Sequence, residues 1–529
     1  GAPCHAASSS RPSSRIDPSS APAPTDGRAS PGAAARSGPG AAGGCADAAR
    51  HEASSSTAAG THDDGRDRRG DTIQRILPQV CYNCGAKLLP GDTPLDQHRA
   101  PAAATTTLRR ALGRWDLAAI GINQTIGGAV FLMPSQIAAV VGAWSPIAIA
   151  AGALVTMVVA VSIAEVGSRF DATGGPYLYA RTAFGRFPAF EVGWMQWFAR
   201  VSSHASVANG LALALGYYWT GAAQGAGRAA VITAITAALT LVNVLGIRQG
   251  ARTINLLTVS KLVPLALFIL VGVFFISPSR FTVLPPVTLE QASTAALLTI
   301  FVFGGYEVLT VPAGESTDPR RQVPFALITT VVVVGAVTVL CQLVAVGTLD
   351  NLAASKTPLA DAAAGIMGGP GALLIGIGAI ASMTGNLAGQ ILTGSRMIYA
   401  LAEQGDLPRV FGRVHARYRT PVVAILFTAG VALALALSGT FAWLAIASSL
   451  ARLLVYGASC GAAVALGRPG AAGRAGEALF VSPRSPLLPV LGIAIAVVLV
   501  VTASRAQLLA GGAALAAGAL LFLASPRGR

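Results

Sequence analysis

Charge is scarce in this chain: 12% of its 529 residues are charged and 53% are hydrophobic, against about 25% charged in a soluble globular domain. That shortage excludes a water-soluble enzyme or scaffold of ordinary composition and points to a bilayer as the solvent. Lysine is nearly missing as well. Of 38 basic residues only Lys87, Lys261 and Lys356 are lysines, so each lysine stands out. Six cysteines are too few and too scattered for a disulfide framework. Cys341 and Cys460 fall in apolar runs and are expected to be packing residues. Cys81 and Cys84 make half of a zinc ribbon, but a closed site needs four ligands and no second pair follows. Cys45, His51 or His98 would have to complete it, and no metal is assigned.

The absent motifs narrow function further. Without a Gly-x-x-x-x-Gly-Lys-[Ser/Thr] loop, nucleotide hydrolysis is not the energy source, and no cofactor is called for. A membrane-embedded enzyme would need a nucleophile with a base, or a metal cluster. The apolar runs hold one histidine, His204, and neither His-Glu-x-x-His nor Gly-x-Ser-x-Gly. The formal charge of +15 does not indicate nucleic acid, because the arginines are dispersed in short loops between apolar runs.

What is present begins with a tail. Residues 1–106 are rich in Ala, Ser, Gly, Pro and Arg, lack apolar periodicity and a signal-peptide core, and are expected to be disordered. No methionine precedes Met133, so this stretch reads as a fragment, a non-methionine start or upstream sequence foreign to the native chain. Residues 107–529 hold twelve apolar runs, near 117–141, 146–166, 190–213, 229–247, 254–276, 295–312, 326–349, 372–399, 420–437, 441–466, 485–503 and 507–524. A helix of about 20 residues crosses the hydrocarbon core, which predicts an all-α membrane protein of twelve transmembrane helices. Arg109, Arg110, Arg114, Arg169, Arg181, Arg186, Arg248, Arg252, Arg320, Arg321, Arg409, Arg413, Arg417, Arg419, Arg468, Arg474, Arg484, Arg527 and Arg529 fall on one side, against Arg228, Arg280, Lys356 and Arg505 on the other. The arginine-rich side is read as cytoplasmic, with both termini there.

Two of the runs are interrupted by glycine pairs, Gly127-Gly128 in the first and Gly304-Gly305 in the sixth. Unpaired backbone groups in hydrocarbon cost several kcal/mol each, so a broken helix there should face a polar cavity. Breaks at corresponding places in two halves of a chain point to a transporter's binding site. Close helix packing is the alternative reading of such glycines.

The residues around the breaks carry a family likeness. The stretch from Gly121 to Pro134, with Ala129 where a third glycine is usual, the Phe301–Pro324 segment, Gly174-Gly-Pro-Tyr-Leu-Tyr179, and the stretch from Arg396 to Pro421 together resemble the amino acid–polyamine–organocation (APC) superfamily of permeases. The resemblance is close over about 114–466 and weaker beyond. It implies a leucine-transporter-like fold of 5+5 inverted repeats, 117–276 and 295–466, with broken spans 1 and 6 and two extra spans at 485–524. It implies that backbone amides near Gly127, Gly128 and Ala129 bind the carboxylate of an amino acid substrate and carbonyls of Phe301, Phe303 and Gly304 its ammonium, with Phe301 or Tyr306 as an aromatic gate and Thr125, Ile126 and Gly305 also in the substrate site.

Lys261 lies about eight residues into the fifth run. In the family this place corresponds to a sodium ion of sodium-coupled relatives, so Lys261, with Ser382 and Thr384 as neighbours, is expected to replace sodium, making transport proton-linked or an exchange. Snorkelling to the interface is the alternative. Glu307, two residues past the second break, is expected to gate or sense protons, or else to pair with Arg200 or Arg452. Glu165, Asp171, Glu315 and Asp318 fall at boundaries where charge is cheap, and Arg320 and Arg321 are expected to anchor a loop. The function expected is a permease for an amino acid or related amine in the cytoplasmic membrane. A nutrient sensor signalling through the tail is the alternative. The partners expected are a small-molecule substrate and the lipid bilayer. No nucleic acid is expected, and no heavy-chain disulfide partner, since the loop from Trp219 to Arg228 lacks cysteine.

Overall fold

The computed structural model describes residues 108–525 except 217–218, 283, 439–440, 469–474, 484 and 504. The tail of residues 1–106, with Cys81 and Cys84, lies outside the described residues, as do Arg474, Arg484, Arg527 and Arg529. Every described element is helical. An isolated parallel bridge between Leu112 and Ser316 is the one extended pairing among the described residues.

Each apolar run contains helix. The first divides into α1 (Arg114–Thr125) and α2 (Ala129–Val141). Then come α3 (Ser145–Gly167), the short α4 (Pro176–Phe184), α5 (Arg186–Gly216), α6 (Gly225–Leu245) and α7 (Ile247–Gly272). The second half supplies α8 (Leu289–Phe303), a 3-10 stretch at Tyr306–Glu315, α9 (Pro319–Thr348), α10 (Pro358–Glu403), α11 (Val422–Leu437) and α12 (Phe441–Leu466). Last are α13 (Leu487–Val501) and α14 (Arg505–Ala524). Among the described residues six helical stretches are long and apolar enough to cross a membrane, and four further apolar helices are shorter. Large apolar side chains face outward on many of these helices, with Phe274 84%, Leu154 71% and Leu256 67% exposed. Water would not tolerate so broad an apolar surface, but lipid does.

Helix starts and stops follow local chemistry. Pro176, Pro319 and Pro358 open α4, α9 and α10, where a missing N–H costs nothing. Thr288 caps α8 by accepting from Gln291 N at 3.2 Å, and Gln291 answers through Oε1 at 2.9 Å. A second-half helix packs against a first-half one repeatedly: α9 on α3, α10 on α5, α11 on α6, and the 3-10 stretch on α1. α10 also runs along α7, and α12 along α5.

One end of the bundle is plugged. The N–H groups of Ala111 and Leu112 donate to Glu315 O at 2.8 and 2.9 Å, and Thr317 N donates to Leu112 O at 3.1 Å. Beside them Arg396 Nε donates to Glu315 Oε1 at 2.7 Å, with both side chains fully buried. On the same side Asp406 accepts from Tyr177, Arg181 and Arg186 at 2.7, 2.8 and 2.6 Å. The boundary carboxylates read as cheap surface charges are thus corrected in two cases. Glu315 is sealed against Arg396, and Glu165 is buried, accepting from Ser482 Oγ at 2.6 Å and Ser485 Oγ at 3.0 Å. Loop segments far away in sequence cover them, which local hydropathy cannot register. Asp171 and Asp318 are exposed. Arg320 does tie loops, donating to Ser168 O at 2.9 Å and to Glu477 O, whereas Arg321 is 78% exposed.

Candidate functional site

The two breaks meet at mid-bundle. Gly305 sits at φ +124°, a region closed to other residues, and a Cβ there would lie 2.7 Å from Gln124 O. Glycine is therefore required where the second break crosses the first. The first pair is different. Gly128 is in ordinary helical backbone (φ −74°, ψ −20°), and a Cβ on it would meet only Met383 Cε at 3.6 Å.

A cavity of about 270 Å³ opens against these breaks. Thr125, Gly127, Gly128 and Ala129 line it from the first, Phe301 and Gly304 from the second. α5 adds Ser203 and Ser206, and α10 adds Asn386 and Gln390. α2 starts at this wall; Phe131 N is taken by Gly128 O at 3.1 Å and Gly127 N by Thr125 O at 2.9 Å, and the helix dipole favours an anion at the amides between them. α8 ends at the same cavity, and its last carbonyls favour a cation. The arrangement can hold a small zwitterion between two half-helix ends.

Four of the residues named with these lie elsewhere. Ile126 and Phe303 are buried in an apolar cluster with Val130, Phe131 and Val302, although Ile126 O takes part in the network below. Tyr306 is buried and stacks on Tyr456 with ring centroids 5.5 Å apart, outside the cavity. Gly305 fills the backbone crossing itself. Of the two aromatic candidates, Phe301 stands at the cavity, 40% exposed.

Lys261 is fully buried and reaches no interface. Its ammonium donates to Asn123 O at 3.1 Å, Ile126 O at 2.6 Å and Ser382 O at 3.2 Å, tying α7 to the first break and to α10. Ser382 Oγ supplements it, at 2.9 Å from both Ile126 O and Gly127 O. Thr384 is no neighbour of Lys261. Its hydroxyl bonds Ile380 O one turn back at 2.9 Å. Two residues apart on a helix point about 200° apart, so Ser382 and Thr384 cannot both face one ammonium.

Glu307 is buried, and its Oε2 accepts from Gly305 N at 3.0 Å and from Tyr456 Oη at 2.9 Å, while Oε1 lies 3.6 Å from Arg200 Nη2. The pairing expected with Arg200 or Arg452 thus forms with Arg200. His204 is an interior histidine with Nε2 3.2 Å from Thr236 Oγ1.

Sequence reading missed Asn386 and Gln390. Asn386 Nδ2 donates to Gln124 O at 3.1 Å, Gln124 Nε2 donates to Asn386 O at 3.0 Å, and Gln390 Nε2 donates to Asn386 Oδ1 at 3.1 Å. Two amides one turn apart in an apolar run were a usable signal.

A helical, lipid-facing bundle with broken helices around a polar cavity defines an integral membrane transporter. Residues 112–519 match the amino acid permease family, and the chain belongs to it. It is a permease of the APC superfamily and not an enzyme. An uncharacterised transporter of Mycobacterium tuberculosis is 30% identical over 436 residues, covering 81% of this chain and 93% of the relative. The serine/threonine exchanger of Bacillus subtilis is 29% identical over 62% of this chain and 76% of its own. The branched-chain amino acid permease of the same organism is 26% identical over 62% and 74%.

Proposed function

We propose that this permease is a secondary transporter that moves an amino acid across the cytoplasmic membrane by alternating access, without sodium. The observation that carries the reading is the cavity between the start of α2 and the end of α8, with a plug on one side of it. Its lining residues lie at or beyond the breaks, away from Leu112, Glu315 and Arg396, as a site reachable from one face requires. The packing of α9 on α3, α10 on α5, α11 on α6 and the second break on the first fits a pseudo-two-fold relation between 117–276 and 295–466. In this reading all twelve runs span, 485–524 adds two spans outside the repeats, the plugged arginine-rich end is cytoplasmic, and residues 1–106 form a separate tail. Thr125, Gly127, Gly128 and Ala129 receive the substrate carboxylate and Phe301 and Gly304 the ammonium, with Phe301 as the gate.

Lys261 holds carbonyls of the first break and of α10 together, which a bound cation would otherwise do. The names of relatives, a serine/threonine exchanger and a branched-chain amino acid permease, support amino acids as the substrate class. The test is uptake and exchange of labelled amino acids by the purified chain in proteoliposomes, with sodium replaced by potassium. Flux is expected to be the same in both salts. A requirement for sodium with Lys261 intact would overturn the sodium-independent mechanism, and absence of flux with any amino acid would overturn the transporter reading.

A further inference from the structure

The cavity carries an uncompensated cation. Among its lining residues Arg452 is the charged side chain, and none is acidic. Its Nη2 donates to the neutral Ser203 Oγ at 3.0 Å, and its Nε is buried without a hydrogen-bond partner. Among the described residues no carboxylate lies within ion-pair distance of it. The carboxylate next in line, Glu307, is already engaged by Tyr456, Gly305 N and Arg200. Arg200 is itself 1% exposed, and its Nε, Nη1 and Nη2 lack hydrogen-bond partners. Two guanidiniums therefore stand against one carboxylate at the second break.

Burying a guanidinium without a counter-charge is costly, and in a membrane such a residue marks a ligand or ion site. Position decides which ligand. Arg452 lies against Gly304, where a Cβ would come 2.6 Å from Nη1, so it is beside the end of α8, on a lining it shares with Gly127, Gly128 and Ala129. A cation there repels positive charge, an ammonium at Gly304 included, and attracts negative charge, so a second carboxylate on the substrate offsets a repulsion that a neutral amino acid leaves standing. Guanidinium also matches carboxylate geometry with paired N–H donors.

Resting on the cavity being the substrate site, we propose that Arg452 selects amino acids bearing an acidic side chain, glutamate or aspartate, and disfavours lysine, arginine and polyamines. The α-carboxylate stays with the amides that open α2, and the side-chain carboxylate takes Arg452.

The test uses the purified full chain in proteoliposomes with labelled glutamate, competed by unlabelled glutamate, aspartate, glutamine, asparagine and lysine. A hydrogen bond to a charged group predicts that glutamate competes at least about tenfold better than its neutral isostere glutamine. Lysine should compete least. In R452Q the preference for glutamate over glutamine should collapse toward one, and R452K should keep part of it. Equal competition by glutamine and glutamate in the wild type overturns the proposal without any variant being needed. Loss of glutamate and glutamine by the same factor in R452Q also overturns it, since the guanidinium would then hold the α-carboxylate. If no amino acid of either class is bound or moved, the reading of the cavity itself falls, and this inference with it.

Discussion

Replacing Glu315 by alanine should unseal the plugged end. Glu315 and Arg396 are both fully buried, and two guanidinium nitrogens reach the carboxylate, Nε at 2.7 Å and Nη2 at 3.4 Å. Removing one partner of a buried pair strands the other charge and costs about 3–5 kcal/mol. Arg396 would keep Ser395 Oγ at 3.2 Å, which does not offset its charge. If opening this end lets water reach Arg396, the cost falls on the closed form alone. Opening then becomes easier by roughly a hundredfold to a few thousandfold, at tenfold per 1.4 kcal/mol. The reporters are the N–H groups of Ala111, Leu112 and Thr317, whose bonds close the plug. Hydrogen–deuterium exchange of the peptides carrying them should accelerate in E315A while the helices of α5 and α10 keep their protection. The double variant E315A/R396M should exchange more slowly than E315A, because no charge is then stranded. Unchanged exchange in folded E315A would refute the reasoning, since the plug would then not depend on the ion pair.

Three further outcomes follow from the same structure. S382A removes a hydroxyl whose one proton is shared between Ile126 O and Gly127 O and should lower stability by about 1 kcal/mol in thermal denaturation, whereas T384A, whose hydroxyl serves its own helix, should change it by less than about 0.5 kcal/mol. G305A forces a side chain into φ +124° and onto Gln124 O and should cost more than about 2 kcal/mol, while G128A should be tolerated, as judged by detergent melting and monodisperse yield. The Tyr177 hydroxyl, outside the spanning runs, is held above its ordinary value of 10.0 by burial first and then by its hydrogen bond to Asp406. The folded form keeps this proton where the unfolded form loses it, so the contribution is complete below about pH 10 and lost as pH rises beyond it. Y177F should therefore flatten the alkaline limb of a melting-temperature profile from pH 8 to 11.

Much of the fold was legible because helices in lipid must satisfy their own backbone bonds, which writes each one into the chain as an apolar run. The runs near 420–437 and 485–503, both near the short limit for a span, are helical as α11 and α13. The short α4 was not read as an element, because it lies between apolar runs and its nine residues carry no span-length signal. At the site, both breaks were visible as glycine pairs, yet the sequence could not tell that Gly305 is demanded by backbone geometry and Gly128 is not. Glu307 illustrates the same limit. Its cost in a membrane was plain, but Arg200 and Tyr456, 107 and 149 residues away in the chain, are brought to it only by folding.

By itself, the sequence determined the class of protein, the helical runs, the places where two helices break and the oddity of one lysine in an arginine-rich chain. These are local properties, set by hydropathy, glycine and side-chain chemistry within a few residues. Tertiary structure alone decided which charges are partnered. Lys261 is answered by three carbonyls from α1, the first break and α10, Glu315 by Arg396 and Glu307 by Arg200, while Arg452 is left facing the cavity. Electrostatic compensation is a matter of distance in space, and hydropathy along a chain holds no record of it.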